Sequence, residues 1–293
     1  MIIHQSLLTA WNRCPQAVCL ERAGNPGIQT SALSYGTVIH YAIEIFEREW
    51  RSGTPWRQAT IIATDTFKHY WHPMNIDAVS RPVELWLPQQ SYGTLAARGV
   101  EAIQWYADWA RTEDEELLAT EYGFQVPIPG TWDEDTDEPH ILAGTIDRLS
   151  TKYYKRKPIL QVGDLKSGKD YPQLRQNLQF TAYCMATTRP EFWEGWAGED
   201  GFGPERGHDL YERFAAAARQ GVWISLKSHK VMNAGWRGPN DYTRFALAVE
   251  QVVASMKADI YPMNLSGENC SYCAHRDICA GVGVPKAEHG APA

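Results

Sequence analysis

Between residues 140 and 167 the chain reads HILAGTIDRLST, then KYYKRK, then PILQVGDLKS. Two apolar runs flank a polar turn, which predicts a β-hairpin with strands over 140–151 and 158–167. Each run carries an acid where core residues are expected: Asp147 in the first and Asp164 in the second, with Lys166 two residues further on. Side chains alternate along a strand, so Leu160, Val162, Asp164 and Lys166 share one face, and Ile141, Ala143, Thr145 and Asp147 share one face of the other strand. The hairpin can then bring Asp147 alongside Asp164. Adjacent carboxylates repel, and each has its pKa raised unless a cation compensates. Oxygen ligands favour hard cations such as Mg2+ or Mn2+. A lysine beside such a cation can orient a water and stabilise developing negative charge, which suits attack on a phosphodiester. The plainer reading of Asp164-x-Lys166 alone is a salt bridge at a strand end.

The remaining pattern predicts an α/β protein. Apolar periodicity marks helices over 4–22, 32–51 and 91–111. Residues 54–90 are mixed and punctuated by proline. LLATEYGFQVPI at 117–128 reads as a strand, as does GVWISLKS at 221–228. A helix is expected over 172–187, with Pro172 in its first turn, and another over 239–258. Residues 189–209 are Gly-rich and read as a long loop. The chain thus divides into a segment 1–30, a helical region 31–116, a core 117–258, a cysteine-bearing segment 259–280 and a tail, 281–293, expected to be disordered.

Its 293 residues, 44% of them apolar, suffice for a sizeable core, and 12% aromatic content argues against disorder. A net charge of −7 gives no global basic footprint for nucleic acid. Locally the balance reverses. Eight cations (residues 148, 152, 155, 156, 157, 166, 169 and 175) stand against three Asp between 147 and 175, interleaved with Tyr153 and Tyr154. Such a strip could meet phosphates and stack on single-stranded bases, although a solvated hairpin tip has the same composition. No apolar run reaches membrane-spanning length and no secretory leader is visible, so a cytoplasmic protein with reduced cysteines is expected.

GTIDRL, VGDLKSG and the pair Gln179 and Tyr183 in LQFTAYCM together resemble the PD-(D/E)xK nuclease superfamily, within it the RecB-like and CRISPR-associated exonucleases. Two departures stand out: Ile146 occupies the place of the usual proline before Asp147, and the middle acid is Asp164 where Glu is commoner. The resemblance implies a restriction-endonuclease-like core, a mixed sheet flanked by helices. It implies Asp147 and Asp164 as metal ligands and Lys166 as the residue positioning the nucleophilic water. SYGTVIHYAIE resembles the family's first motif, which makes His40 a ligand; the Leu165 carbonyl is a further one and Glu121 an additional candidate. Gln179, Tyr183, Arg148, Tyr153 and Tyr154 are the candidate substrate contacts. Taken singly, His40 in a helix and Glu121 on a strand are ordinary residues, and Tyr183 could equally be core.

CSYCAHRDIC near the C-terminus is a C-x2-C-x5-C cluster, which in a reducing compartment reads as a metal or iron–sulfur site. With AWNRCP it resembles the iron–sulfur nucleases of the same group. That implies a 4Fe-4S cluster on Cys14, Cys270, Cys273 and Cys279, joining the chain ends as a structural staple; tetrahedral Zn2+ is the alternative. Cys19 and Cys184 fall outside the pattern and read as buried apolar residues. The function so implied is metal-dependent hydrolysis of DNA, exonucleolytic on single-stranded ends, in recombination, repair or CRISPR spacer acquisition, with a protein partner from one of those processes. The competing reading is a catalytically weak DNA- or partner-binding subunit; a third is a zinc-stabilised RNA-processing enzyme.

Overall fold

The computed structural model describes residues 1–25, 27–168, 174, 177–194, 204–265, 270, 273–275, 278 and 279. Lys169 and Arg175 of the basic strip, the first residues of the helix expected from Pro172, and the 281–293 tail lie outside them.

A short strand β1 (Ile2–His4) leads into helices α1 (Gln5–Arg13) and α2 (Pro15–Arg22). The single helix expected over 4–22 is interrupted because Pro15 forces the residue before it out of the helical region, and Cys14 is extended at φ −164°. Helix α3 (Ser31–Arg51) begins at Thr30, whose side chain accepts from Leu33 N; its stripe of Val38, Ile39, Ala42, Ile43 and Phe46 is buried as the sequence suggested. Next comes α4 (Trp56–Trp71), in the stretch that sequence periodicity left unassigned, and then α5 (Tyr92–Thr112), opened by a capping box between Ser91 and Thr94.

The sheet follows: β2 (Glu116–Pro127), β3 (Ile141–Tyr154) and β4 (Lys157–Lys166). Helices α6 (Leu178–Ala186), α7 (Pro190–Glu194) and α8 (Pro204–Phe214) cross to β5 (Ala218–Ser225), which pairs in parallel with β4. A parallel pair requires a crossover of this kind. A short helix is also expected from sequence just before the 221–228 strand; α8 is that helix begun early, and it and α7 occupy part of what reads in sequence as a Gly-rich loop. Strand β6 (Lys230–Arg237) closes the far edge and α9 (Pro239–Lys257) ends the core. The sheet is mixed, in the order β1-β3-β4-β5-β6, with β2 also pairing with β3. Helices α3, α4 and α5 pack over one face against Leu165, Val222, Ile224 and Leu226. The opposite face, with Leu142, Ile146, Leu149, Leu160 and Val162, is covered by α1, α6 and α9.

Strand β3 is shared. Strand β2 pairs along residues 141–151 of it. On its other edge, residues 141–143 pair with β1 and residues 148–154 with β4. Residues 144–147 have no strand partner on that edge. The last β3–β4 pair is Arg148↔Gly163, so β4 peels away from β3 at Asp147. Alternation also slips there: Ile146 and Leu149, three residues apart, both face the α1/α6/α9 side. The two residues between them, Asp147 and Arg148, both reach toward the α3/α5 side, with His40 and Glu47 as partners. The β2–β3 register shifts close by, between Leu117 and Ala119 of β2, an irregularity of the bulge kind.

Candidate active site

At the fork the carboxylate of Asp147 takes the place of the missing strand pairing: Leu165 N donates to Asp147 Oδ2 at 2.7 Å. Helix α3 lays His40 over the same point. Its Nε2 stands 3.0 Å from the Leu165 carbonyl, and its Nδ1 is 3.4 Å from Glu121 Oε1 and 3.8 Å from Asp147 Oδ2. Glu121 faces Asp147 across β2 and β3, between the pairs Thr120↔Arg148 and Tyr122↔Ile146, and holds φ at +45°. A non-glycine residue in that region is strained by about 1–3 kcal/mol, and such residues cluster at functional sites.

Burial opposes a charge on His40, but Asp147 and the hydrogen-bonded Glu121 outweigh it and raise the imidazole pKa to about 9. Both ring nitrogens face oxygens, Leu165 O and Glu121 Oε1, an arrangement that suits the protonated imidazole. Burial also raises the Asp147 pKa, against the opposing charge of His40.

The other acid belongs to the α6 side. Asp164 is fully buried. Its Oδ1 accepts from Lys166 Nζ at 2.7 Å and from Gln179 Nε2 at 2.8 Å, while Oδ2 has no hydrogen-bond partner among the described residues. Burial lifts its pKa to about 6; Lys166 pulls it down and Asp147 pushes it up. Gln179 reaches it because Asn177 caps α6 through the Gln179 backbone N–H, which starts the helix under β4. The same amide donates to Tyr183 Oη at 3.0 Å. Tyr183 is itself buried, edge-on to Phe124, so it orients Gln179 from within the core and does not reach outward to a substrate. The Lys166 ammonium stands 5.9 Å from the centre of the Trp223 ring.

His40, Glu121, Leu165 and Lys166 line a cleft of about 690 Å³ walled by α3 and the end of β4, with Gly36, Thr37, Tyr41, Glu44, Val79 and Ser167 around it; Asp147 and Asp164 are held against them through Leu165 N and Lys166 Nζ. Gly36 lets α3 approach closely, since a Cβ there would come 3.3 Å from Ser167 Oγ. Among the described residues, His40, Glu121 and Asp147 are three whose ligand atoms lie within 4.8 Å of one another. One imidazole and hard carboxylate oxygens, with the Leu165 carbonyl adjacent and a buried unpartnered Asp164 oxygen across the fork, fit Mg2+ or Mn2+.

Three expected substrate contacts lie elsewhere. Arg148 is buried beneath α3 and α5. It is ion-paired to Glu115, 3.6 Å from Glu47, bonded to Tyr106 Oη at 3.1 Å and set over the Trp109 ring. The slip in β3 turns it into the core, so it does not meet a substrate from solvent. Tyr153 and Tyr154 are exposed at the hairpin tip, six and seven residues along β3 from Asp147, or about 20–23 Å at the rise of a strand. They are remote from the cleft because the strands carry the turn away from the fork. Sequence inspection missed Trp223 and Tyr41, which carry no local signal, and Glu44, which its i,i+4 spacing from His40 could have indicated.

The chain ends meet. Asn264 Nδ2 donates to the Arg13 carbonyl at 2.9 Å, and the Trp11 and Tyr261 rings are 5.6 Å apart. A Cβ on Gly27 would come 2.9 Å from Ala274 Cβ. The Cys273 thiol pKa is raised, first by burial and further by the thiols of Cys14, Cys279 and Cys270. Cys184 is buried, as the sequence suggested, whereas Cys19 is only half-buried. No helix among the described residues is long and apolar enough to cross a membrane.

The PD-(D/E)XK nuclease superfamily model matches residues 5–280, a span that includes every residue named at the site. A solved structure titled "Crystal structure of SSO0001" is 13% identical, with 96% of this chain and 86% of that chain covered and a TM-score of 0.38. No curated protein matches.

Proposed function

The chain belongs to the PD-(D/E)XK nuclease superfamily, and from that premise we propose that it is a metal-dependent DNA exonuclease acting on single-stranded ends. The observation that carries the reading is the meeting, at one fork of the sheet, of His40, Asp147, Asp164 and Lys166, with His40 and Lys166 lining a cleft and the two acids set against them. A divalent ion would be held by His40, Asp147, Asp164 and the Leu165 carbonyl, with Glu121 beside them; when bound it supplies positive charge to the phosphate oxygens and acidifies a water. The chain's own residues do the rest. Lys166 releases Asp164 and turns its ammonium to a water, holding it in line with the phosphorus. Gln179, fixed by Tyr183, keeps the Asp164 carboxylate aligned as Lys166 moves.

Cys14, Cys270, Cys273 and Cys279 hold a 4Fe-4S cluster in this proposal, with Zn2+ as the alternative. The support is that the Cys273 thiol is influenced by those of Cys14, Cys270 and Cys279, and that the chain ends join nearby. The cluster's role is structural, and the cellular process is recombination, repair or CRISPR spacer acquisition with a protein partner. The Lys166–Asp164 ion pair favours a second reading, a DNA-binding subunit of weak activity, because it occupies both groups. Mn2+-dependent release of nucleotides from end-labelled single-stranded DNA, abolished by EDTA and by Asp164→Ala, is the expected result. Binding of DNA with no release in Mn2+ or Mg2+ selects the second reading.

A further inference from the structure

The interface of α3 and α4 carries two aromatic groups of opposite character. Tyr35, Phe67 and Trp71 are buried and pack on one another in the core. Tyr41, Tyr70 and His69 form a second group on the outside. Tyr41 and Tyr70 are half-buried and His69 is exposed. Tyr41 and Tyr70 meet at 5.3 Å and 80°, and His69 and Tyr70 at 4.8 Å and 85°. A perpendicular contact uses at most one face of one ring, so these two contacts leave ring surface on Tyr41 and His69 uncovered by each other, while Tyr70 also packs in part on the core beneath α3, α4 and α5. The group is continuous with the cleft, because Tyr41 is one of its walls and directly follows His40. Arg48, two turns along the same face of α3, lies within electrostatic reach of the Tyr41 hydroxyl.

We propose that Tyr41, Tyr70 and His69 form a stacking ledge that receives the bases of a single nucleic-acid strand as it runs out of the cleft, with Arg48 meeting the backbone. The inference rests on the nuclease reading above and adds the means by which the strand is held. Stacking is sequence-tolerant because every base offers a flat face. It also answers an electrostatic difficulty. The protein carries a net charge of −7, and Glu44 and Glu121 line the cleft. Phosphate attraction alone is a poor anchor here, whereas stacking does not depend on net charge. A duplex, whose bases already stack on one another, offers the ledge nothing.

The test compares two labelled strands of equal length, oligothymidylate and its abasic analogue, by fluorescence anisotropy with Ca2+ replacing Mn2+. The wild-type protein should bind the thymidylate at least tenfold more tightly. Tyr41→Leu and Tyr70→Leu should each weaken thymidylate binding by about tenfold, within the range for loss of one stacked base. Both should leave abasic binding unchanged, and Tyr70→Trp should bind thymidylate at least as well as wild type. Thermal melting of each variant checks that it is folded. Equal wild-type affinity for the two strands, or leucine variants that hold thymidylate as wild type does, overturns the ledge and leaves the nuclease reading standing. Failure of the wild-type protein to bind either strand overturns that reading, and the ledge with it.

Discussion

Replacing Lys166 by Met separates a reagent from a counter-ion. Asp164 has no exposed side-chain surface, and Lys166 keeps 33% of its own. Breaking a fully buried pair costs about 3–5 kcal/mol, since a charge is stranded. Asp164 has a less costly response. Its pKa already stands at about 6, so accepting a proton near pH 7 costs about 1.4 kcal/mol. The expected loss of stability is therefore about 1–2 kcal/mol, a fall in melting temperature of roughly 2–6 °C. A domain stable by about 5–15 kcal/mol stays folded after such a loss. The single-turnover rate should nonetheless drop about a hundredfold or more, because a charge placed for the transition state is gone. The assay is cleavage of end-labelled single-stranded DNA at saturating Mn2+, alongside a thermal melt and a calorimetric Mn2+ titration. Near pH 7 the variant's Mn2+ affinity should fall by about tenfold for each unit its Asp164 pKa rises beyond 7, and should recover at higher pH. Lys166→Arg should rescue the melt better than the rate, since a planar fork does not fit an ammonium's compact position. Cleavage within about threefold of wild type, together with a lowered melting temperature, would refute the reasoning and leave Lys166 as the cation of a pair.

Four further outcomes are expected. With the His40 pKa at about 9, Mn2+ binding near pH 7 must expel about one proton; affinity should then rise roughly tenfold per pH unit and level off above about 9, and a pH-independent affinity would remove His40 from the ligand set. In the metal-free protein the same imidazolium adds stability that is full below its ordinary pKa of 6.5 and is lost as pH rises through about 9. Protein purified without oxygen should be brown with about four irons per chain, and Cys273→Ala should lose both the colour and several degrees of melting temperature; a colourless wild type carrying about one zinc selects the other metal. Arg148→Met strands Glu47 and Glu115 and should cost about 3–5 kcal/mol in urea unfolding while the folded fraction binds DNA normally. A variant of unchanged stability that bound DNA weakly would restore Arg148 as a substrate contact.

The elements that could be read from sequence are those whose burial follows one period. The α3 stripe and the β3 and β4 runs are of this kind, and an acid inside an apolar run marked Asp147 and Asp164. Helix α4 was hidden because its buried Ala59, Ala63, Thr64, Phe67 and Trp71 mix small and polar residues between proline-rich flanks. Strand β1 spans only three residues and exists through its pairing with β3. Strand β6 is an edge strand with Asn233 and Gly235 in its middle, where β-propensity is low. The fate of Arg148 was unreadable for a sharper reason: strict alternation puts Asp147 and Arg148 on opposite faces, and the slip between Ile146 and Leu149 sends both to one. Tyr153 and Tyr154 had the right composition for a nucleic-acid contact, but composition holds no distance.

The fork in β3 bears on how such a protein can be improved. Its unpaired stretch, residues 144–147, is an edge left open inside a sheet. Variants that let residues 164–166 of β4 zip onto it would gain backbone hydrogen bonds, and Asp147 would lose its hold on Leu165 N. Selection for heat resistance alone should therefore enrich substitutions around 144–147 and 164–166 that are sturdier and inert. Here robustness and chemistry compete for the same few peptide groups.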